Sequence, residues 1–395
     1  MSVEIDVPIL LDRHFPASAF LDLARAYEAS GVVDYIQGWD QLTSWWPPYL
    51  WSPENAPIHA ARPDADSFPD YVAMLSASAA VAPGLGTVIS TDSIRRGPAE
   101  LMQTMLTMAN LTQGRSQFHL GAGEVKQCKP FGWKRREGLD RLEDVLRAVK
   151  LFWQSDEPVD LDGHIWKLEH ASIGYARQYR PQVWGLGGGP RMFDLSTTYA
   201  DGFATMAPFV ASSPEHWAEL VSSMKEALER KGRDPEQFSF GIYAAALVHE
   251  DGDVIERALT NPLISWCTAV MGRIIMSDWA KDGIEPPLPG NWHYAIKLLP
   301  LKIPHAEIND ILARVTPEMS ARSWIMGTPG EVAAQLQDYV DAGATWVSII
   351  DMLPSVLDAE DGAKAPARTI EVARILKQQD AALDPAGDKT AAVGA

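Results

Sequence analysis

Eight short, apolar, β-rich runs punctuate the chain, at 7–11, 34–39, 85–90, 117–121, 182–186, 202–206, 238–248 and 346–351. Amphipathic stretches with the punctuation of surface helices lie between them. SAFLDLARAYEAS (18–30) and PAELMQTMLTMANLTQGR (98–115) are two, the second with Pro98 in its first turn and a glycine past its end. SPEHWAELVSSMKEALERKG (213–232) opens with Ser213 as N-cap and Pro214 at N1, and TPGEVAAQLQDYVDAGA (328–344) leads into the last run. Eight strands that alternate with helices predict an α/β fold, a parallel (β/α)8 or TIM barrel. The 395 residues suit one such domain with insertions, expected over 1–380. Two segments interrupt the repeat: 41–70, rich in Pro and Trp, after the second strand, and the Pro-rich 278–305 before the eighth. From 381 the chain turns small and polar (AALDPAGDKTAAVGA), which predicts a disordered tail.

A net charge of −18 argues against nucleic acid or an anionic membrane as partner. The two cysteines, Cys128 and Cys267, form no C-x-x-C, so neither a disulfide framework nor a thiolate metal site is expected. No apolar run reaches 18 residues, and MSVEIDVPILLDRHF lacks the basic and apolar blocks of a secretion signal. A cytoplasmic enzyme without a metal is the expectation. Several of the 14 tryptophans flank prolines, as in SWWPPYLW (44–51), and suit either an aromatic-lined pocket or loop packing.

In such barrels the active site lies where strands end. The glycine-rich PQVWGLGGGPRM (181–192) ends the fifth run. Its spacing breaks the dinucleotide fingerprint at Pro190, and no Gly-Lys-Ser/Thr follows, so it is no P-loop. The second run ends in WDQLTSWW (39–46), the third in STDSIRRGP (90–98), the fourth in GAGEVKQ (121–127). H-E-x-x-H and G-x-S-x-G do not occur, which leaves zinc hydrolysis and a serine nucleophile without support.

The order and spacing of LTQGRSQFHLGAGE (111–124), PVDLDGHIWKLEHASI (158–173), GGGP and YADGF (199–203) resemble the bacterial luciferase-like superfamily. They resemble most its branch that uses the deazaflavin coenzyme F-420, and within it the mycobacterial phthiodiolone-type ketoreductases. The resemblance spans roughly residues 5–250 and 320–352. It implies a phosphate held by backbone N–H groups of Gly187, Gly188 and Gly189 at a helix N-terminus, with Pro190 as the first helical residue. A tight strand-to-helix turn without ligand is the alternative. The resemblance further implies that Asp40 bonds the cofactor, that a cis peptide joins Val88 to Ile89 behind its ring, and that Thr91 donates to the ring edge. Gln127 takes a position usually held by an amide, and Trp45 one that covers the substrate side of the ring.

Glu124 corresponds to the family's glutamate at the reacting face. Apolar neighbours would raise its pKa, whereas a salt bridge to Arg95 or Arg96 is the structural alternative. Where relatives carry a histidine after the aspartate, this chain has Gln41, which cannot titrate. Weight for proton transfer shifts to Glu124 or to His14, although a lone histidine is more often structural. Phe209 replaces the lysine that grips sugar phosphate in some relatives; with Trp45 and Trp46 it favours an apolar substrate. The resemblance thus implies an F-420-dependent ketoreductase or alcohol dehydrogenase, and a homodimer. An FMN-dependent monooxygenase and a non-catalytic deazaflavin carrier are the alternatives.

Overall fold

The computed structural model describes residues 2–383. Eight strands carry the fold: β1 (Glu4–Pro8), β2 (Tyr35–Trp39), β3 (Gly86–Asp92), β4 (Ser116–Gly121), β5 (Gln182–Leu186), β6 (Gly202–Ala207), β7 (Ser239–Val248) and β8 (Trp346–Asp351). Each pairs in parallel with the next, and β8 pairs with β1, so the sheet closes into a TIM-type barrel. The expected strands fall within one or two residues of these, except the first, which begins three residues earlier than the apolar run suggests. Asp6 hides it. Its carboxyl is fully buried in the barrel and accepts from Ser348 Oγ at 2.6 Å, and burial raises its pKa well above the usual range.

The helices follow their local signals. Ser213 caps Pro214–Arg230 by accepting from the His216 N–H, and Thr328 with Glu331 forms a capping box at the head of Pro329–Asp341. Before β5, Val159–Asp162 and Lys167–Ala171 form the expected hairpin. Asp144 accepts from the N–H groups of His164, Ile165 and Trp166 at its turn.

The segment between β7 and β8 is larger than its proline-rich middle. Ahead of the helix Pro329–Asp341 it carries five more, Gly252–Leu259, Pro262–Met271, Tyr294–Lys297, His305–Leu312 and Pro317–Ser323, and the short strand Ile325–Gly327 beside β7. The 41–70 segment docks on it: the Trp46 indole donates to Leu263 O at 3.0 Å and the Trp266 indole to Trp45 O at 2.9 Å. The last helix, Ala365–Leu383, runs past 380; residues 384–395, expected as a tail, lie outside the described residues. No helix among the described residues is long and apolar enough to cross a membrane.

Aromatic side chains fill the barrel. His119 stacks on Trp184 with ring centroids 4.6 Å apart, and Trp346 and Tyr243 close the group edge-on. Room for Trp184 comes from Gly202 and Gly241, where a Cβ would lie 2.6 and 2.8 Å from the indole. The polar edges of three of these rings are spoken for, and the Trp346 indole N–H is buried with no partner among the described residues. His119 Nε2 meets Gln117 Oε1 at 3.1 Å and Nδ1 meets the Tyr243 hydroxyl at 2.6 Å. Gln37 donates to Tyr243 and Ser90, and its carbonyl accepts from the Trp39 indole at 2.9 Å.

Burial lowers the His119 pKa to about 3. The unfolded chain, with a histidine near its ordinary value of about 6.5, therefore takes up a proton that the folded chain refuses. Stability contributed by neutral His119 is complete above about pH 6.5 and falls as pH drops toward 3. Denaturant unfolding at pH 7 and pH 4 should show wild type losing about 3 kcal/mol more than His119→Gln, which keeps both hydrogen bonds without the titration. Equal losses in the two proteins would assign the acid sensitivity elsewhere.

Candidate active site

The C-terminal ends of β2, β3 and β4 converge on one cluster of charges. Asp40, just past β2, has its Oδ2 2.7 Å from the Thr91 hydroxyl, 2.9 Å from Arg96 Nε and 3.5 Å from Arg95 Nη2. Burial pushes the Asp40 carboxyl up, but the two guanidiniums outweigh it and hold it below the usual range. Arg95 is itself fixed by Asp92 at 2.6 Å. Both arginines thus serve Asp40 rather than Glu124, and the Thr91 hydroxyl donates to Asp40 instead of standing free for a ring edge.

Glu124 pairs with a residue the sequence reading passed over. Lys126 Nζ lies 2.8 Å from Glu124 Oε2, 2.7 Å from Thr43 O and 3.3 Å from Gln41 Oε1. It also sits 4.6 Å from the centroid of the Trp45 ring. Lys126 is 1% exposed; burial lowers its pKa and the Glu124 charge pulls it back. In sequence, a lysine two places after Glu124 reads as an exposed charge. Only the 41–46 segment folding over it makes it buried. The expected apolar surroundings of Glu124 are therefore replaced by a cation.

The second insertion also reaches this point. Tyr294 approaches Glu124: burial, and then the Glu124 charge, keep its hydroxyl well above the ordinary range. His293 beside it, stacked at 5.6 Å, is lowered by burial and by Arg135, with Glu124 opposing, and its Nδ1 is buried with no partner among the described residues. Nothing local marks these side chains, because an insertion before β8 brings them to a loop after β4.

The glycine loop follows β5. Gly189, at φ 88, is the N-cap of Pro190–Tyr199, with Pro190 as its first residue. The Gly187 N–H is taken by Ala204 O at 3.1 Å, so it is not available to a ligand. The N–H groups of Gly188 and Gly189 have no partner among the described residues. A Cβ at Gly189 would meet nothing within 4 Å, and one at Gly188 would meet only Val210, at 3.5 Å. The loop is an open cradle, as a phosphate approaching backbone requires.

Several expected site residues do other work. His14 is exposed and bonds Asp64 at 2.8 Å, across to the first insertion. Trp46 and Phe209 are buried at 6% and 3%, Trp46 against Trp51 and Phe209 against Trp324, and so belong to the core rather than to an open pocket. Trp45 stays partly exposed, edge-on to Trp39 at 5.5 Å, its indole N–H without a partner among the described residues. The Val88–Ile89 peptide is not cis; among the described residues only Ala207–Pro208 is. Both residues hold parallel register with β2 and β4, and a cis bond would break those two ladders.

Gln127 is spent on the backbone of the first insertion. Its Oε1 accepts from Leu42 N at 2.7 Å and Thr43 N at 3.2 Å, and its Nε2 donates to Thr43 O at 2.8 Å. Gln127→Leu strands the buried Thr43 N–H, which costs about 1–3 kcal/mol. A lower melting temperature and faster proteolytic cleavage within 41–46 are expected; an unchanged cleavage rate would show that the clamp does not hold the segment.

The family model described as luciferase-like monooxygenase matches residues 12–345. A phthiodiolone/phenolphthiodiolone dimycocerosates ketoreductase of Mycobacterium kansasii is 26% identical over 266 residues, covering 66% of this chain and 70% of that protein. An F420-dependent glucose-6-phosphate dehydrogenase of Kineococcus radiotolerans is 27% identical over 267 residues, covering 66% and 70%. Among solved structures, an F420-dependent secondary alcohol dehydrogenase superposes with a TM-score of 0.69 at 19% identity, covering 95% of this chain and 99% of that one. With the model matched over most of its length and the same barrel, this chain belongs to the luciferase-like family of oxidoreductases.

Proposed function

We propose that the chain binds coenzyme F-420 and passes a hydride between it and the carbonyl or alcohol carbon of an apolar small molecule. The observation that carries the reading is the open cradle at Gly188 and Gly189, at the same strand ends as Glu124, Lys126, Gln41 and Trp45. The names of the relatives support the choice of cofactor, since the glucose-6-phosphate dehydrogenase and the alcohol dehydrogenase both use F420. The ketoreductase relatives support the choice of reaction.

The deazaflavin supplies the hydride chemistry when bound. The residues of this chain do the rest. Gly188 and Gly189 present two N–H donors to a phosphate, reinforced by the partial positive charge at the head of Pro190–Tyr199. Trp45, with Trp39 behind it, offers an aromatic wall. Glu124, or a water it holds, handles the proton that accompanies the hydride. Phe209, buried against Trp324, offers no grip for a sugar phosphate.

Gly188→Val places its first side-chain carbon in ordinary contact with Val210, so the barrel should fold as before. We expect a fluorescence titration with F-420 to show at least a tenfold weaker Kd, about 1.4 kcal/mol, at an unchanged melting temperature. An unchanged Kd would assign the glycines to a turn and nothing more. Tight binding of FMN with none of F-420, together with oxygen consumption, would overturn the reading in favour of a monooxygenase.

Glu124→Gln should lower turnover by about 10²–10⁴-fold while cofactor Kd changes far less. His14→Asn should leave turnover near wild type, because His14 is engaged with Asp64. The opposite pattern would move the proton to His14.

A further inference from the structure

Lys126 Nζ donates to Thr43 O and to Gln41 Oε1, and its charge pairs with Glu124 Oε2 at 2.8 Å. An ammonium cannot accept, so the end of the Gln41 amide that faces it must be the oxygen. This settles on chemical grounds an orientation that amide geometry alone leaves open. The amide nitrogen is consequently turned away from the buried lysine. It has no partner among the described residues, and Gln41 is only half-buried. Gln41 therefore holds out two N–H donors that cannot accept a proton.

We infer that Gln41 is the oxygen-recognition residue of the site, its amide N–H bonding the carbonyl oxygen of the substrate, and that Lys126 is the positioning residue that sets its direction. The inference rests on the reading of the chain as a carbonyl–alcohol oxidoreductase. As hydride adds to the carbonyl carbon, the C=O π bond opens and its electron pair moves to oxygen. The Gln41 amide stabilises that developing charge without titrating, and the Lys126 charge behind it polarises the amide further. The proton that completes the alcohol arrives separately, from Glu124 or a water it holds. Glu124 Oε2 is occupied by the same ammonium, so Lys126 orients the donor of charge stabilisation and the proton-handling group together. The substrate class follows: a compact acceptor oxygen, a ketone or aldehyde, with its apolar part against Trp45.

Gln41→Glu separates positioning from donation. The carboxylate keeps the shape and the contact to Lys126 but removes the N–H groups. With reduced F-420 and a panel of simple ketones, kcat should fall by about 10²-fold, with cofactor Kd and melting temperature unchanged. Lys126→Met should lower kcat comparably, and adding Gln41→Glu to it should cost less than about threefold more, because an unoriented amide has already lost its role. A second arm needs no cofactor. Lys126→Met alone leaves the half-buried Glu124 without its cation and should lower the melting temperature; adding Glu124→Gln should restore most of the loss. If Lys126→Met does not fold, Lys126→Arg, which keeps the charge but shifts its donors, takes its place in the kinetic arm. Wild-type kcat in Gln41→Glu, additive kinetic effects or additive melting losses would each overturn the inference. A wild-type protein that binds F-420 and turns over while Gln41→Glu is unaffected overturns this inference alone. A wild-type protein that neither binds F-420 nor reduces a ketone overturns the reading beneath it, and the inference with it.

Discussion

A closed barrel of eight parallel strands stands only if its interior is filled, and here aromatic rings fill it. Trp184, His119, Trp346 and Tyr243 occupy the axis, with glycines at 202 and 241 yielding the space. Rings with polar edges bring a cost, because each buried N–H or O–H needs a partner. The structure meets much of that cost in one connected network through Gln117, Gln37 and Ser90. The network runs up the barrel to the Trp39 indole, which packs on Trp45 at the mouth. The packing of the core therefore sets the wall of the site.

At the mouth the organising demand is a second one: a buried ammonium must find acceptors. Lys126 draws them from the 41–43 backbone, from Gln41 and from Glu124, and Gln127 clamps the same backbone from the next position. The insertion after β2 is held down by what it covers. Asp40 meets the matching demand for Arg95 and Arg96 across the end of β3. Two charge clusters, each nearly self-satisfied, leave a short set of groups without a partner among the described residues: the Gln41 amide nitrogen, the buried Trp45 indole N–H, and the Gly188 and Gly189 N–H groups. All are donors. A site of this kind suits an anionic cofactor tail and a carbonyl oxygen.

The barrel was legible from the alternation of strand-like and helix-like runs, since period and capping are local properties of the chain. Ser213 with Pro214, and Thr328 with Pro329, mark helix starts without reference to anything distant. The first strand was misplaced because a buried Asp6 looks like a surface residue until Ser348, more than three hundred positions away, accounts for it. The glycine loop and the acidic positions after β2 and β4 were legible as a resemblance. Their partners were not: Arg95 and Arg96 were open to Glu124 in the sequence and went to Asp40 in the structure.

The sequence by itself determined which segments are strands, about where all but the first end, and that chemistry-bearing residues crowd those ends. Such features depend on neighbours a few positions apart. Only the tertiary structure decided which of those residues face a ligand and which face each other. Trp46 and Phe209 left the pocket for the core, His14 went to Asp64, and Lys126, Tyr294 and His293 entered from positions that carried no local signal. The physical reason is that burial and charge pairing are set by whatever packs above a side chain. Here that is supplied by two insertions whose docking no period or motif records.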